Sequence, residues 1–296
     1  MATMEGLSGS VVALITPFSE DGSVDFDALG RLVDFHLENG TDALLTLGTT
    51  GESSTMSHEE DDEVCKFVVD RVAGRVPVIA GSGSNSTETM LEKSLSFQKM
   101  GADGLLLITP YYNKSNEEGI YRHFTTVLDS VDVPCILYNV PGRTGCSISE
   151  HNVARLAKHP NAFGIKEASG NIGYATKIAR YLSDDFCMFS GNDDIVLPMM
   201  ALGSRGVISV WANVQPKEVH DMCHAWLAGD HEAALKTQLA GIELVDSLFC
   251  EVNPIPVKYA LELMGFGKAV YRQPLCEPSA VAKAQIAEAM RNAGII

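Results

Sequence analysis

The stretches HLENGTDALLTLG (His36–Gly48), FQKMGADGLLLITP (Phe97–Pro110) and MMALGSRGVISVWA (Met199–Ala212) follow one pattern. Each closes a helical segment, places a glycine, passes through two or three residues and enters an apolar run. Gly40, Gly101 and Gly203 stand where a helix end takes a left-handed cap, a conformation that glycine adopts without a Cβ penalty. GRVPVIAGSG (Gly74–Gly83) and VDVPCILYNVP (Val131–Pro141) open their runs with proline, which suits the first position of a strand. Eight such runs occur, near residues 10–16, 42–47, 77–81, 104–109, 135–140, 163–168, 187–190 and 206–211. They are continuous rather than alternating, as in parallel strands covered on both faces.

Between the runs lie charged, amphipathic stretches of helical length. Ser57 with Glu60 forms a capping-box pattern, and SISEHNVARLAKH (Ser147–His159) starts behind a serine cap. Alternating strand and helix predicts an α/β fold. Eight units fit a closed (β/α)8 TIM barrel, which needs about 250 residues. The rival open, doubly wound sheet would carry a glycine-rich phosphate turn after the first strand. Here that strand ends LITPFSEDG. Beyond WLAGDHEAA (Trp226–Ala234) only helical periodicity remains, in His231–Phe249, Pro254–Gly265 and Ser279–Gly294. The expected organisation is a catalytic barrel over 1–229 and a C-terminal helical appendage over 230–296, the latter contributing little to chemistry.

The 296-residue chain is 46% hydrophobic and carries a net charge of -16, with no basic stripe, which argues against a nucleic-acid partner. Seven scattered cysteines without a CxxC pair suggest reduced thiols and neither a disulfide framework nor a zinc site. The opening MATMEGLSGS lacks signal-peptide character, and no apolar run approaches a membrane span. These features predict a cytoplasmic protein with no membrane partner.

In such barrels chemistry gathers at the C-terminal ends of the strands. There the sequence places Thr49, Thr50, Glu52 and Ser53 (LGTTGES), Tyr111 and Tyr112 (ITPYYN), Tyr138 and Arg143 (ILYNVPGRTG), Lys166 (NAFGIKEASG), and the ends SGND and VISVWAN. Alternation puts Gly164, Lys166 and Ala168 on one face of the sixth strand, with Phe163, Ile165 and Glu167 on the other. A lysine there can snorkel, or pair with Glu167. It can also be a nucleophilic amine that attacks a ketone to form a Schiff base. At a pKa of about 10.4 only about one lysine in 2,500 is neutral at pH 7. Lowering that value to about 7–8 takes roughly 4 kcal/mol, which desolvation and the charge of Arg143 can supply.

Tyr138, on the neighbouring strand, could shuttle protons with Thr49 as relay. Taken singly, Tyr138 reads as a core tyrosine, Thr49 and Thr50 as a polar turn, and Arg143 as a solvated loop residue. Their joint placement favours a site. GTTGES offers N–H and hydroxyl donors to a carboxylate, and Arg143 could fork onto a second one.

Together, GTTGES, TPYYN, YNVPGRTG and GIKEASGN, supported by VIAGSGSN, SGNDD and GVISVWANV, resemble the dihydrodipicolinate synthase (4-hydroxy-tetrahydrodipicolinate synthase) family of Schiff-base aldolases over essentially the whole chain. The resemblance implies a lyase of lysine and diaminopimelate biosynthesis. Pyruvate would condense with Lys166, and the enamine would attack L-aspartate 4-semialdehyde. It implies a proton relay of Tyr138, Thr49 and Tyr112, the last reaching in from a neighbouring subunit. Thr49 and Thr50 would hold the pyruvate carboxylate and Arg143 that of the semialdehyde, with backbone groups of Gly191 and Ile208 bordering the site. It further implies no cofactor beyond the covalent pyruvate, no catalytic metal, and a homotetramer built as a dimer of dimers.

Many relatives bind lysine as a feedback inhibitor. Ser53, His58, Asn85 and Tyr111 match that pattern. Asp61 stands where it has a histidine, and Thr89 where it has a glutamate, so weak or absent inhibition is expected. His58 alone also reads as a surface residue in a first helical turn. Two other assignments stay open on the residues. One is another pyruvate-dependent lyase, of the N-acetylneuraminate lyase or 2-keto-3-deoxy-gluconate aldolase type. It would share Lys166 and Tyr138 but not the groups meeting the second substrate. The other is a non-catalytic keto-acid binding protein, whose signature would be a missing nucleophile.

Overall fold

The computed structural model describes residues 3–296. Its parallel strands are β1 (Gly9–Ala13), β2 (Ala43–Thr46), β3 (Val78–Gly81), β4 (Gly104–Ile108), β5 (Cys135–Asn139), β6 (Ala162–Glu167), β7 (Cys187–Ser190) and β8 (Gly206–Ser209). Each pairs with the next, and β8 pairs back to β1, closing the barrel. The helices are α1 (Phe26–Glu38), α2 (His58–Val72), α3 (Thr87–Met100), α4 (Glu117–Leu128), α5 (Pro141–Thr144), α6 (Glu150–Leu156), α7 (Ile172–Ala179), α8 (Val196–Ala201) and α9 (Pro216–Leu227). After them come α10 (His231–Leu248), α11 (Ile255–Leu263) and α12 (Ala280–Asn292). This is the expected TIM barrel with C-terminal helices.

Local signals in the sequence account for the element ends. Gly40, Gly101 and Gly203 all take positive φ behind their helices. Ser57 and Glu60 form the reciprocal capping box at α2, and the Ser149 hydroxyl accepts from the Asn152 N–H at the start of α6. Side-chain oxygens of Asp25, Ser86, Asn116 and Asn171 cap α1, α3, α4 and α7 in the same way. Each satisfies a backbone donor that a helix N-terminus would otherwise leave unpaired.

Both faces of the strands are buried, and the faces separate into two cores. Val12, Leu44, Leu105, Leu107, Leu137 and Ile165 point outward beneath the helices. Val11, Leu45, Ile79, Leu106, Ile136 and Phe189 fill the barrel interior, with Met4 and Leu7 packed among them. The period-two alternation therefore runs through continuous apolar sequence.

One residue departs from it. The β5–β6 register shifts between Cys135 and Ile136, whose partners are Ala162 and Gly164. Phe163 is the extra residue, and its ring packs against the interior cluster rather than the outer layer. A Cβ on Gly164 would lie 2.4 Å from the Cys187 carbonyl oxygen, so the neighbouring strand leaves no room for a side chain there.

The C-terminal helices do more than the sequence suggested. α10 packs along α9 and α8, and α12 packs on α10 and α11. From α11 the Lys258 ammonium reaches back to Glu52, in the loop after β2, and both side chains are almost fully buried. The rings of Phe18 and Tyr271 lie 4.3 and 5.5 Å from the ammonium. Arg272 adds a second tie, donating to the carboxylate of Glu60 and to the carbonyls of Gly22 and Thr55. Among the described residues no helix is long and apolar enough to cross a membrane.

Removing one partner of a buried ion pair strands the other charge. Glu52 is exposed to that penalty, because its second carboxylate oxygen is already buried without a partner. We expect Lys258→Met to lower unfolding stability in urea by about 3–5 kcal/mol, and the double variant with Glu52→Gln to recover part of the loss. A single-variant loss below about 1 kcal/mol, the range of an exposed pair, would contradict this reading.

Candidate active site

Lys166 sits in the last turn of pleat before β6 ends. Its register partners are Tyr138 on β5 and Phe189 on β7, so the alternation that directs Phe189 inward directs the amine inward too. Lys166 is 6% exposed, and its Nζ lies 4.6 Å from the Tyr138 ring centroid. Small residues make the space. A Cβ on Gly191 would stand 2.5 Å from the Cβ of Ala168 and 3.1 Å from the Cε of Lys166. Any side chain at 191 would therefore press on the lysine stem.

The pairing with Glu167 that the sequence allowed does not form. Glu167 faces outward, accepting from Asn139 Nδ2 at 2.6 Å and from the Ser169 N–H at 2.7 Å. Asn139 in turn accepts from the Ile148 N–H at 3.0 Å, which ties the end of β5 to the chain entering α6.

Burial dominates the electrostatics of the amine. It lowers the Lys166 pKa to about 8; the carboxylate of Asp193 works against this shift, and the guanidinium of Arg143 adds to it. The drop corresponds to roughly 3 kcal/mol of lost preference for the charged form. The fraction of neutral amine at pH 7 rises to about one in ten. The Tyr138 phenol is shifted upward by burial, while Arg143 and the Thr49 hydroxyl pull it down. It therefore keeps its proton near neutral pH and has one to give.

Asp193 did not stand out in the sequence. It lies in the single turn after β7, fully buried, and accepts from the N–H groups of Val210 and Trp211 at 2.9 Å each. Those bonds lock the end of β8 to the end of β7. Burial raises its pKa, opposed by the Ser209 hydroxyl, those two N–H groups and the Lys166 charge. The only sequence cue was its place in SGND, where an Asp reads as an ordinary capping residue.

The groups expected to face substrate divide. Thr49 and Thr50 form the turn after β2, closed by the Gly51 N–H donating to Gly48 O at 3.0 Å. The Thr50 hydroxyl accepts from Asn253 Nδ2 at 2.9 Å, and Arg143 Nη2 donates to the Asn253 carbonyl at 3.0 Å. Asn253 thus bridges two candidate binding residues from the segment between α10 and α11, so the C-terminal region, expected to contribute little to chemistry, helps to hold the groups of the site. Gly191 borders the site, but its N–H already donates to the Glu167 carbonyl at 2.7 Å. Its contribution is clearance rather than a free donor. Ile208 lies on β8 with its side chain in the barrel interior. Tyr112 is not gathered in: its side chain is 91% exposed and its φ is +69°.

Thr49, Tyr138 and Arg143 line a cavity of about 470 Å3 that continues past Ser53, His58, Thr89 and Tyr111. Asn85 is not among the residues that line it; its carbonyl accepts from Asn113 Nδ2 at 2.9 Å. Within this extension Lys93 forms a buried ion pair with Asp61 at 2.8 Å and donates to the Ser53 hydroxyl at 2.9 Å. A larger cavity, about 910 Å3, opens at the other end of the barrel beside Met4, Phe163 and Arg205, away from the amine.

Residues 6–293 match the profile of the dihydrodipicolinate synthetase family. The chain belongs to that family. A 4-hydroxy-tetrahydrodipicolinate synthase from Alkaliphilus oremlandii is 47% identical over 288 residues, covering 97% of this chain and 99% of the relative. The crystal structure of dihydrodipicolinate synthase from Aquifex aeolicus superposes with a TM-score of 0.95 at 44% identity, covering 98% of this chain and 99% of that one. A chloride-inhibited dihydrodipicolinate synthase from Acinetobacter baumannii, complexed with pyruvate, gives 0.95 at 41% identity over 98% and 99% of the two chains. The motif resemblance in the sequence and the similarity of the whole chain thus point to one family.

Proposed function

We propose that this chain is a 4-hydroxy-tetrahydrodipicolinate synthase, a lyase that condenses pyruvate with L-aspartate 4-semialdehyde through a Schiff base on Lys166, in the route to diaminopimelate and lysine. The observation that carries the reading is the buried amine beside a buried phenol, with a pKa lowered to about 8. Relatives of the same length carry the same name.

The neutral Lys166 amine adds to the keto carbon of pyruvate, and the carbinolamine loses water to give an imine. Loss of a methyl proton then gives an enamine, whose carbon attacks the semialdehyde aldehyde. The semialdehyde amino group adds to the imine carbon, closes the ring and releases Lys166 as the free amine. Tyr138 gives and retrieves the protons, passing them through Thr49 and, from a neighbouring subunit, Tyr112. Thr49 and Thr50 receive the pyruvate carboxylate and Arg143 that of the semialdehyde, with Gly191 and Ile208 bounding the pocket. The imine is the electron sink, so the proposed chemistry needs no cofactor or catalytic metal.

The full exposure of Tyr112 in the single chain supports a dimer that buries it, and we place the assembly as a homotetramer of two such dimers. We take 1–229 as the catalytic barrel and 230–296 as a helical domain that braces it, in a cytoplasmic enzyme.

Borohydride should trap pyruvate on Lys166, detected as a mass increase on the peptide that contains it. Lys166→Gln should abolish the adduct, and Tyr138→Phe should slow its formation by about 10²-fold or more. Label absent from Lys166 in folded protein would overturn the assignment.

The cleft at Ser53, His58 and Tyr111, which match the lysine-inhibited pattern together with Asn85, already holds an internal ammonium. Lys93 occupies Asp61, and Thr89 offers no second carboxylate. Free L-lysine should therefore leave the initial rate unchanged at millimolar concentration; a micromolar inhibition constant would contradict this.

A further inference from the structure

At the end of the barrel opposite Lys166, three groups that the proposed reaction does not use come together. Asp42 immediately precedes β2, and His220 and His224 lie one turn apart on one face of α9. One ligating atom from each lies within 4.8 Å of the other two. His220 Nδ1 is 3.1 Å from Asp42 Oδ2, and His224 Nε2 is 2.9 Å from Asp42 Oδ1. We propose that Asp42, His220 and His224 form a binding site for a divalent transition-metal ion of the zinc type, one that staples α9 to the β1–β2 seam of the barrel.

Two imidazole nitrogens and one carboxylate oxygen match zinc and its neighbours, whereas magnesium and calcium take oxygen cages. Tetrahedral ligands about 2.0–2.2 Å from zinc stand roughly 3.3 Å apart. His220 Nδ1 and His224 Nε2 now stand 3.1 and 2.9 Å from the two different oxygens of Asp42, near that value, and all three groups offer ligand atoms within 4.8 Å of one another, so a shared ion needs the carboxylate to turn one oxygen towards both rings. An ionised aspartate only accepts, so each ring now donates an N–H to it. Moving that proton to the other ring nitrogen frees a lone pair on the face already aimed at the carboxylate.

The site is braced as metal sites are. The Ser10 N–H donates to Asp42 Oδ2 at 2.7 Å, fixing the carboxylate from a strand end. The backbone makes way for the cluster at Gly9, and Gly40 lies in ordinary contact distance of it. A Cβ on Gly9 would fall 2.1 Å from Asp42 Oδ2 and 2.9 Å from His224 Nε2, and one on Gly40 would lie 3.4 Å from the His220 ring. The two rings sit 4.1 Å apart, centroid to centroid. The side chains of Asp42, His220 and His224 are 18%, 26% and 45% exposed, so an ion can enter from solvent and keep water as its fourth ligand. The net charge of -16 favours local accumulation of cations.

The test uses the full chain, stripped with a chelator and dialysed. Titrated zinc should bind saturably and raise the melting temperature, while magnesium at the same concentration should do neither. Cobalt should give visible d–d absorption without a thiolate charge-transfer band. His220→Asn and His224→Gln keep a hydrogen-bond donor towards Asp42, so they should stay folded yet lose the zinc-induced shift and the cobalt spectrum. Equal zinc responses in wild type and both variants would overturn the proposal. So would a thiolate band, which would place the ion on cysteine, or the absence of any response in the wild type, which would leave the cluster as a hydrogen-bonded clamp.

Discussion

The Lys166 side chain leaves β6 into space walled by Tyr138, Phe189, Ala168 and the backbone of Gly191, where water cannot complete an ammonium hydration shell. The loss of that shell is the constraint on which the rest of the site depends. It brings the amine to about 8 with help from Arg143, although buried Asp193 acts in the opposite direction. A fully paired lysine in the same place would be stable and inert. The fold avoids that outcome by turning Glu167 outward onto Asn139 and by anchoring Asp193 through Oδ2 on two backbone N–H groups of the β8 loop, while its Oδ1 stays buried without a hydrogen-bond partner.

Holding that arrangement is a task for the whole chain. Closure of eight strands places β5, β6 and β7 side by side, so Tyr138, Lys166 and Phe189 stand in one row across three neighbouring strands. The C-terminal helices then fix the loops above. Asn253 holds Thr50 and Arg143 at once, and Lys258 holds Glu52 in the same turn as the two threonines. The appended helices are thus part of the site's support, and their buried Lys258 is matched by Glu52.

How legible this was in sequence depended on the range of each interaction. The barrel could be read because its signals are local: glycine behind each helix, proline before a strand, apolar runs of strand length. Lys166 could be read because a lone amine inside such a run is conspicuous, and Tyr138 and Thr49 because their motifs end strands. Asn253 and Lys258 could not, since their partners lie 110 to 206 residues away and neither sits in a distinctive pattern. Asp193 resembled any polar residue closing a strand. Phe163 obeyed alternation on paper, but a one-residue register shift turned it inward. His220 and His224 did show helical spacing, yet their third partner, Asp42, is 178 residues from His220 and adjacent only because β8 closes on β1. Lys93 likewise meets Asp61 only through the packing of α2 against α3.

The central claim, that desolvation holds the Lys166 amine largely ready to lose its proton, can be read directly by NMR. The lysine side chains would be isotopically labelled, Lys166 assigned by comparison with Lys166→Gln, and its Nζ titrated with pH in the absence of substrate. The neutral form should take over as pH rises through about 8, more than two units below an ordinary lysine. A midpoint near 10.5, the value of a solvated lysine, would contradict the account.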